Sequence, residues 1–447
     1  MVVYGLGLPL GLLAWGGWAW AVFRSVRGDW QRHLIPVAWT AGYFLWRSVG
    51  FVTAMRYQIP VYPTLALLAA WGLWEAWERL RGVRLMGRLR AGWLVAGRGA
   101  AVLAATAAYA IAFARNYTLP FTRYEASEWI YRNVPGPVNI VLEMDGAEVL
   151  EPMAVPNGTV LSPGEPLELP FTIREDASAV AVLLPYPEDL SGQTPAGLRL
   201  TMLDETGSVG QATIEGAVLS GSRLEIPLDR PVNLKGDRTY RLRLEVLSAG
   251  AIGLRGSVII SETSWDDALP LRIEGRDGYG GLYASANQEL YWPDGDDSDG
   301  TGQSDKLERI FSTLNEGDYL VITSNRQYDS IGRLPQRFPL TVAYYQALLG
   351  CPSGLEIEDC VAGTQPGETA GRLGYDLVSV FERSPTLGPL VFRDQAAEEA
   401  FTVYDHPKVL IFAKSPSYDS AAVLEELSKV DLSRIVNLPP VQLGPQA

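Results

Sequence analysis

Four long apolar stretches crowd into the first 120 residues of this 447-residue chain, and charge is sorted around them. Those residues carry twelve Arg, no Lys and only three acids, Asp29, Glu75 and Glu78, for a net charge of +9. The remaining 327 residues carry 25 bases against 48 acids, a net of −23, and hold three of the 13 Trp. A chain folded wholly in water intersperses both signs over its surface and has no reason to sort them this way. Val2–Phe23 is an uncharged run long enough to cross a bilayer core of about 30 Å as a helix. Leu34–Met55, interrupted by Arg47, Ile59–Trp77, and the Ala-rich Leu94–Phe113, with Arg98 near its start, have the same character. No basic segment precedes the first run and no small-residue cleavage site comes after it, so it does not read as a signal peptide. The expectation is a transmembrane region of four helices over residues 1–117.

The loops set its orientation. Arg24, Arg27 and Arg32 separate the first two runs, and Arg79, Arg81, Arg84, Arg88 and Arg90 separate the last two. Only Arg56-Tyr57-Gln58 lies between the second and third. Arg-rich loops stay in the cytoplasm, which puts the N-terminus and everything after about residue 117 outside the plasma membrane. An outside N-terminus fits a chain whose preceding spans lie elsewhere.

The acidic outer region lacks a basic stripe interleaved with aromatics, so nucleic acid is not an expected partner. Two Cys and two His are too few for a structural zinc site of those ligands. Thr122–Asn133 has helical spacing, and Val138–Leu142 reads as a buried strand, the expected first strand of an outer α/β domain that begins with residues 118–147. Residues 148–261 hold short alternating runs, such as Leu198–Leu203, Tyr240–Val246 and Ser257–Ser261, bounded by Gly, Pro and Asp. That texture predicts a β-sandwich or jelly roll inserted into the α/β domain. Residues 262–414 alternate strands and helices and complete the α/β domain, with 415–447 as a C-terminal tail holding one helical pattern, Ala421–Val430. Asp294–Asp305 reads as a solvated acidic loop.

Several segments together resemble a known family. Arg56-Tyr57-x-x-Pro60-x-x-Pro63, running into Leu65–Trp71, resembles the late membrane helices of GT-C-fold glycosyltransferases, the class of the protein mannosyltransferases and aminoarabinose transferases. Ala126–Ile130, Trp265–Pro270, Ser324–Tyr328, Arg333-Leu334-Pro335, Tyr344-Tyr345 and Val403–Val409 are similar to the tails of its large bacterial members and of YYY-domain membrane proteins. The resemblance implies transfer of a sugar from a polyprenyl-phosphate carrier in the membrane lipid to a glycan or protein acceptor outside. It also implies a catalytic acid, and often metal-contacting acids, on an early outer loop. No acid before residue 121 fits that place, so the chain is expected to be the C-terminal part of such an enzyme, inactive alone. A divalent metal is then expected only in the complete enzyme. The rival reading is a non-catalytic, membrane-anchored surface protein whose β-sandwich binds carbohydrate or an envelope partner.

Three groups of side chains are candidates for a site. Arg56, Arg47 and Tyr57 lie where a carrier phosphate would sit, and guanidinium gives planar, charge-assisted hydrogen bonds to phosphate. Both Arg could instead be interfacial anchors. Nine residues apart on one straight helix, they would point to opposite faces, so a joint site needs the helix to end before Arg56. Trp265, Asp266 and Asp267 could contact glycan or a metal, or serve as a turn cap and a packed ring. Arg326, Tyr328 and Arg333 could line an acceptor groove after the Asp318–Ser324 strand or form a structural loop. His406 reads as a turn residue before a strand. Cys351 and Cys360, enclosing eight residues in an oxidising compartment, are expected to form a local disulfide.

Overall fold

The computed structural model describes residues 3–436 apart from 50–53, 84–90, 145, 157, 191–195, 218–222, 248–249, 263–267, 296–303, 353 and 369–370. Helices α1 (Leu8–Arg24), α2 (Trp30–Ser48), α3 (Tyr62–Leu80) and α4 (Ala91–Arg115) occupy the apolar N-terminal region. Pro9 and Pro63 sit in the first turns of α1 and α3, where the missing N–H has no intrahelical partner to lose. Helix α2 ends at Ser48, and Met55–Val61 is a separate 3₁₀ turn. The contact of α1 with α3 is made by small residues: a Cβ added at Gly17 would strike the Leu68 carbonyl, and Gly72 faces the Gly17 backbone. Among the described residues the core cluster here is Ala14, Val61, Leu65 and Ala69.

Among the described residues, the helical stretch that starts at Ala91 is the one long and apolar enough to cross a membrane. The four-span expectation is corrected to that extent. Helix α1 has 17 residues, α2 carries Arg32, His33, Pro36 and Arg47, and α3 ends in Glu75, Glu78 and Arg79.

Antiparallel sheets dominate the chain beyond α5 (Thr122–Asn133). One sheet has the order β2 (Ala147–Met153), β1 (Val138–Met144), β5 (Ala177–Leu184), β9 (Leu224–Leu234). A second has β4 (Leu167–Thr172), β10 (Thr239–Val246), β7 (Ala196–Asp204), β8 (Gly207–Ala217). A small third sheet joins β3 (Val160–Leu161), β11 (Ile252–Gly253) and β6 (Glu188–Asp189). Alternate side chains of the two larger sheets, among them Ile140, Val182, Leu198, Leu200, Ile226 and Leu242, share one core, as a sandwich requires.

Two strands exchange their expected places. Val138–Leu142 belongs to the sandwich, because β1 pairs with β2 and β5. Ser257–Ser261 does not: β12 (Val258–Ser261) runs parallel to β13 (Ala284–Asn287) and to β14 (Tyr319–Ile322) in a mixed sheet completed by β18 (Val409–Lys414) and β15 (Tyr375–Phe381). Ile259, Val321, Val409 and Ile411 on one face of this sheet pack under α5. Ile260, Leu320, Ile322, Leu410 and Phe412 on the other face pack under α6 (Asp305–Glu316), α7 (Arg326–Gly332), α8 (Pro339–Leu348), α9 (Ile357–Gly363) and α11 (Ser420–Ser428). A short α10 (Glu399–Thr402) precedes β18. The sandwich is therefore inserted between α5 and β12.

Two further expectations change. Asp294 is not solvated but fully buried: its carboxylate accepts from Lys306 Nζ at 2.7 Å and from the Leu340 N–H at 2.6 Å, capping α8. Within the expected tail, α11 buries Val423 and Leu427 in the α/β core, with Asp419 accepting from the N–H groups of Ala421 and Ala422 at its start.

Candidate functional site

Where the helical region meets the α/β unit, arginine and tyrosine side chains alternate. Because α2 stops at Ser48 and Arg56 belongs to the separate Met55–Val61 turn, Arg47 and Arg56 are released from opposite faces of one helix. Both guanidinium groups lie over the Tyr57 ring, at 4.3 and 5.3 Å. Arg56 Nη1 reaches Tyr404 Oη at 3.5 Å, and Arg326 lies over the Tyr404 ring at 5.9 Å. Arg326 Nε donates to Glu399 at 2.9 Å, and the Met55 N–H donates to Glu398 at 3.0 Å. Arg56 and Tyr404 are exposed, Arg47 and Tyr57 half-buried. Guanidinium over an aromatic face keeps its in-plane N–H donors available to a second partner.

The strand ends explain this placement. Arg326 comes after Thr323-Ser324-Asn325, directly beyond β14, while Tyr404 precedes β18, the neighbouring antiparallel strand. Arg123 of α5 ties the two loops together, donating to the carbonyls of Thr323 and Val403 at 3.4 and 3.0 Å. His406 is buried and bridges Asp405, 2.6 Å from Nδ1, and Asp394, 2.9 Å from Nε2. Burial opposes its charge, but the two carboxylates outweigh it and raise the imidazole to about 9. Its ring meets Phe113 of α4 edge-on at 5.8 Å. The residue expected in a plain turn is thus a charged clamp holding the 394–406 segment.

The other candidates separate. Tyr328 is buried against Tyr345 in the α/β core, away from solvent. Arg333 pairs with Asp329 one turn back. Glu358 of α9 is raised to about 8, first by its hydrogen bond with Asp329 and then by burial, so this carboxyl pair holds a proton near neutral pH. Trp265, Asp266 and Asp267 lie outside the described residues. Cys351 and Cys360 are joined by a disulfide, with Cα atoms 5.8 Å apart.

The three acids of the helical region are all engaged: Asp29 and Glu75 with Arg24, Glu75 also with Arg79, and Glu78 with Arg81. Among the described residues no group of three or more His, Cys, Asp or Glu side chains is placed to hold a metal ion. The divalent metal that the resemblance attaches to a complete enzyme therefore has no donor set on them. Sequence reasoning missed Tyr404, Glu398 and Glu399; Tyr404 sits inside the Val403–Val409 segment, which was the available signal.

No protein-family model and no curated protein sequence matches the chain. Among solved structures, the P-domain of a Penaeus vannamei nodavirus is 16% identical over 23% of this chain and 94% of its own, with a TM-score of 0.13. A family two carbohydrate esterase from Clostridium thermocellum, in complex with cellohexaose, is 12% identical over 28% of this chain and 36% of its own, TM-score 0.15. A rhamnosidase from Klebsiella oxytoca with rhamnose bound is 14% identical over 30% of this chain and 31% of its own, TM-score 0.15. At these scores none of the three bears on the fold or the activity of this chain.

Proposed function

We propose that this chain is the membrane and outer portion of a GT-C-type glycosyltransferase that uses a polyprenyl-phosphate sugar donor and an extracytoplasmic glycan or protein acceptor. The observation that carries the reading is the Arg47–Tyr57–Arg56–Tyr404–Arg326 ladder at the outer ends of α2 and α3. Several planar cations at one helix end, stacked on phenol rings, match the multidentate recognition of a lipid phosphate. The reading puts α4 across the plasma membrane, with the residues that come after it outside. In support, Leu12, Leu45, Leu67 and Leu103, one on each helix, are 60–67% exposed, which a lipid solvent accommodates and water does not. Glu399 is committed to Arg326 and Glu398 to the Met55 N–H. This reading assigns the base that deprotonates the acceptor to neither of these two acids, and residues 1–447 alone are expected to transfer no sugar.

The test is binding, not turnover. In lipid nanodiscs the full chain should bind polyprenyl phosphate, detected by native mass spectrometry, and Arg56→Ala and Arg47→Ala should each weaken it. A charge-assisted hydrogen bond of roughly 1.5–3 kcal/mol sets the expected loss at about tenfold or more. Unchanged binding in the double variant removes the lipid-phosphate role. An anchored surface protein with no carrier would bind none in any form.

A further inference from the structure

Residues 384–392, Ser-Pro-Thr-Leu-Gly-Pro-Leu-Val-Phe, carry no charge within an outer region of net −23. Their centre folds as an antiparallel hairpin, β16 (Thr386–Leu387) against β17 (Leu390–Val391). Gly388, at φ 58°, takes the first central position of the two-residue turn, where a type II′ hairpin needs glycine. Leu390 is 52% and Val391 58% exposed. A two-stranded ribbon this short is not stable on its own in water, and its apolar tip is not buried against the fold behind it.

Its neighbours indicate what covers it. Phe392 packs edge-on against Tyr109 at 5.3 Å, and Arg115 donates to Thr386 Oγ1 at 3.4 Å. Tyr109 lies six residues before the end of α4, which is about 9 Å along the helix axis. The hairpin thus runs beside the last turns of α4, level with the exposed Ile111 and alongside the Leu94–Phe113 apolar stretch. Beyond the hairpin, Phe401 meets Tyr4 and Phe113 at 5.9 and 5.2 Å, so the whole segment is seated on the outer helix ends. Arg383 and Arg393 bracket the uncharged stretch. Arg383 is fixed by the Pro120 carbonyl and Glu125, and Arg393 is exposed. An apolar tip flanked by a basic side chain that can reach headgroups is the composition of an interfacial anchor.

We propose that the 386–391 hairpin dips into the outer leaflet beside α4, with Leu390 and Val391 at the acyl-chain boundary and Arg393 among the headgroups. The proposal rests on the membrane reading of α4. Lipid is favoured over a second copy of the chain because the hairpin lies against the helix that is long and apolar enough to cross a bilayer.

The experiment uses nitroxide labels on the full chain in phosphatidylcholine–phosphatidylglycerol nanodiscs. Both native cysteines are locked in the Cys351–Cys360 disulfide, so introduced cysteines label singly. Leu390→Cys and Val391→Cys are compared with Leu103→Cys on α4 and Thr213→Cys on the exposed face of β8. The expected result is a ratio of oxygen to nickel-chelate collisions at 390 and 391 shifted toward that at 103 and away from that at 213. Water-like ratios at 390 and 391 beside a lipid-like ratio at 103 overturn the hairpin anchor while leaving the membrane reading of α4 intact. A water-like ratio at 103 overturns both. Dipolar broadening between labels on different copies assigns the hairpin to self-association and also overturns the proposal.

Discussion

In the helical region α1 and α3 approach through Gly17, against Leu68 and Gly72, over a core cluster of Ala14, Val61, Leu65 and Ala69, while Leu12, Leu45, Leu67 and Leu103 point outward. In the sandwich the arrangement is reversed. Leu198, Leu200, Leu242 and Leu244 are fully buried, and the outward positions of the same strands carry Arg199, Arg241, Arg243 and Glu245. Water drives large apolar groups together and makes their burial the main stabilising term. On the membrane reading proposed above, lipid replaces water around the helices, that drive is absent, and backbone approach through small residues takes over. On that reading the chain carries two packing rules, and the boundary between them coincides with the reversal of charge near residue 120.

The sharpest way to break this comparison is one substitution made twice. Leu200→Ala, in the sandwich core, should lower stability by about 2–5 kcal/mol. Leu67→Ala, on the exposed face of α3, should stay within about 0.5 kcal/mol. Urea midpoints of the full chain in one detergent measure both, and equal losses would show that the two regions share a packing rule.

The seam between the regions responds to pH through His406. Its folded value near 9 lies above the usual value of about 6.5, so its contribution is complete below pH 6.5 and is lost as pH rises through 9. A loss of up to about 3 kcal/mol is expected, read as a falling thermal midpoint between pH 6 and 10. His406→Gln should flatten that slope; an unchanged slope would assign it to other groups.

Gly17→Val tests the small-residue rule within the helices. Its side chain meets the Leu68 carbonyl, so α1 and α3 must separate, at about 1–3 kcal/mol. Tryptophan fluorescence reports this region selectively, since ten of the 13 Trp lie in it. The smallest effect belongs to the sandwich surface: Arg199→Ala removes an exposed cross-strand pair with Glu245 at 3.5 Å and should cost about 0.2–1 kcal/mol, less in high salt.

The helices were legible from the apolar runs and most strands from alternation, because those patterns depend on local periods. The exchange of Val138–Leu142 with Ser257–Ser261 was not. Both are short apolar runs, and nothing within five residues says which sheet will pair with them. The ladder was half legible. Arg47, Tyr57 and Arg56 could be named, but their convergence depended on α2 stopping at Ser48, and Tyr404 arrives from nearly 350 residues away. Asp294 was misread because an acidic run signals solvent, while its buried partner Lys306 lies 12 residues on.

Pro135 and Ser257 flank the sandwich, and Ser257 returns both its N–H, at 3.1 Å, and its hydroxyl, at 2.8 Å, to the Pro135 carbonyl. The path therefore leaves the α/β unit and comes back to it side by side, and the sandwich is tied to that unit further by the Val155 N–H on the Gly281 carbonyl at 3.0 Å and by Arg276 on Glu151 at 2.7 Å. To the sheet of β12, β14 and β18, the intervening 121 residues are an inserted cassette whose removal would leave a gap that one tight turn could close. Cassettes hung this way can be exchanged without rethreading their host. The sandwich is thereby free to change its surface while the Arg–Tyr ladder keeps its geometry.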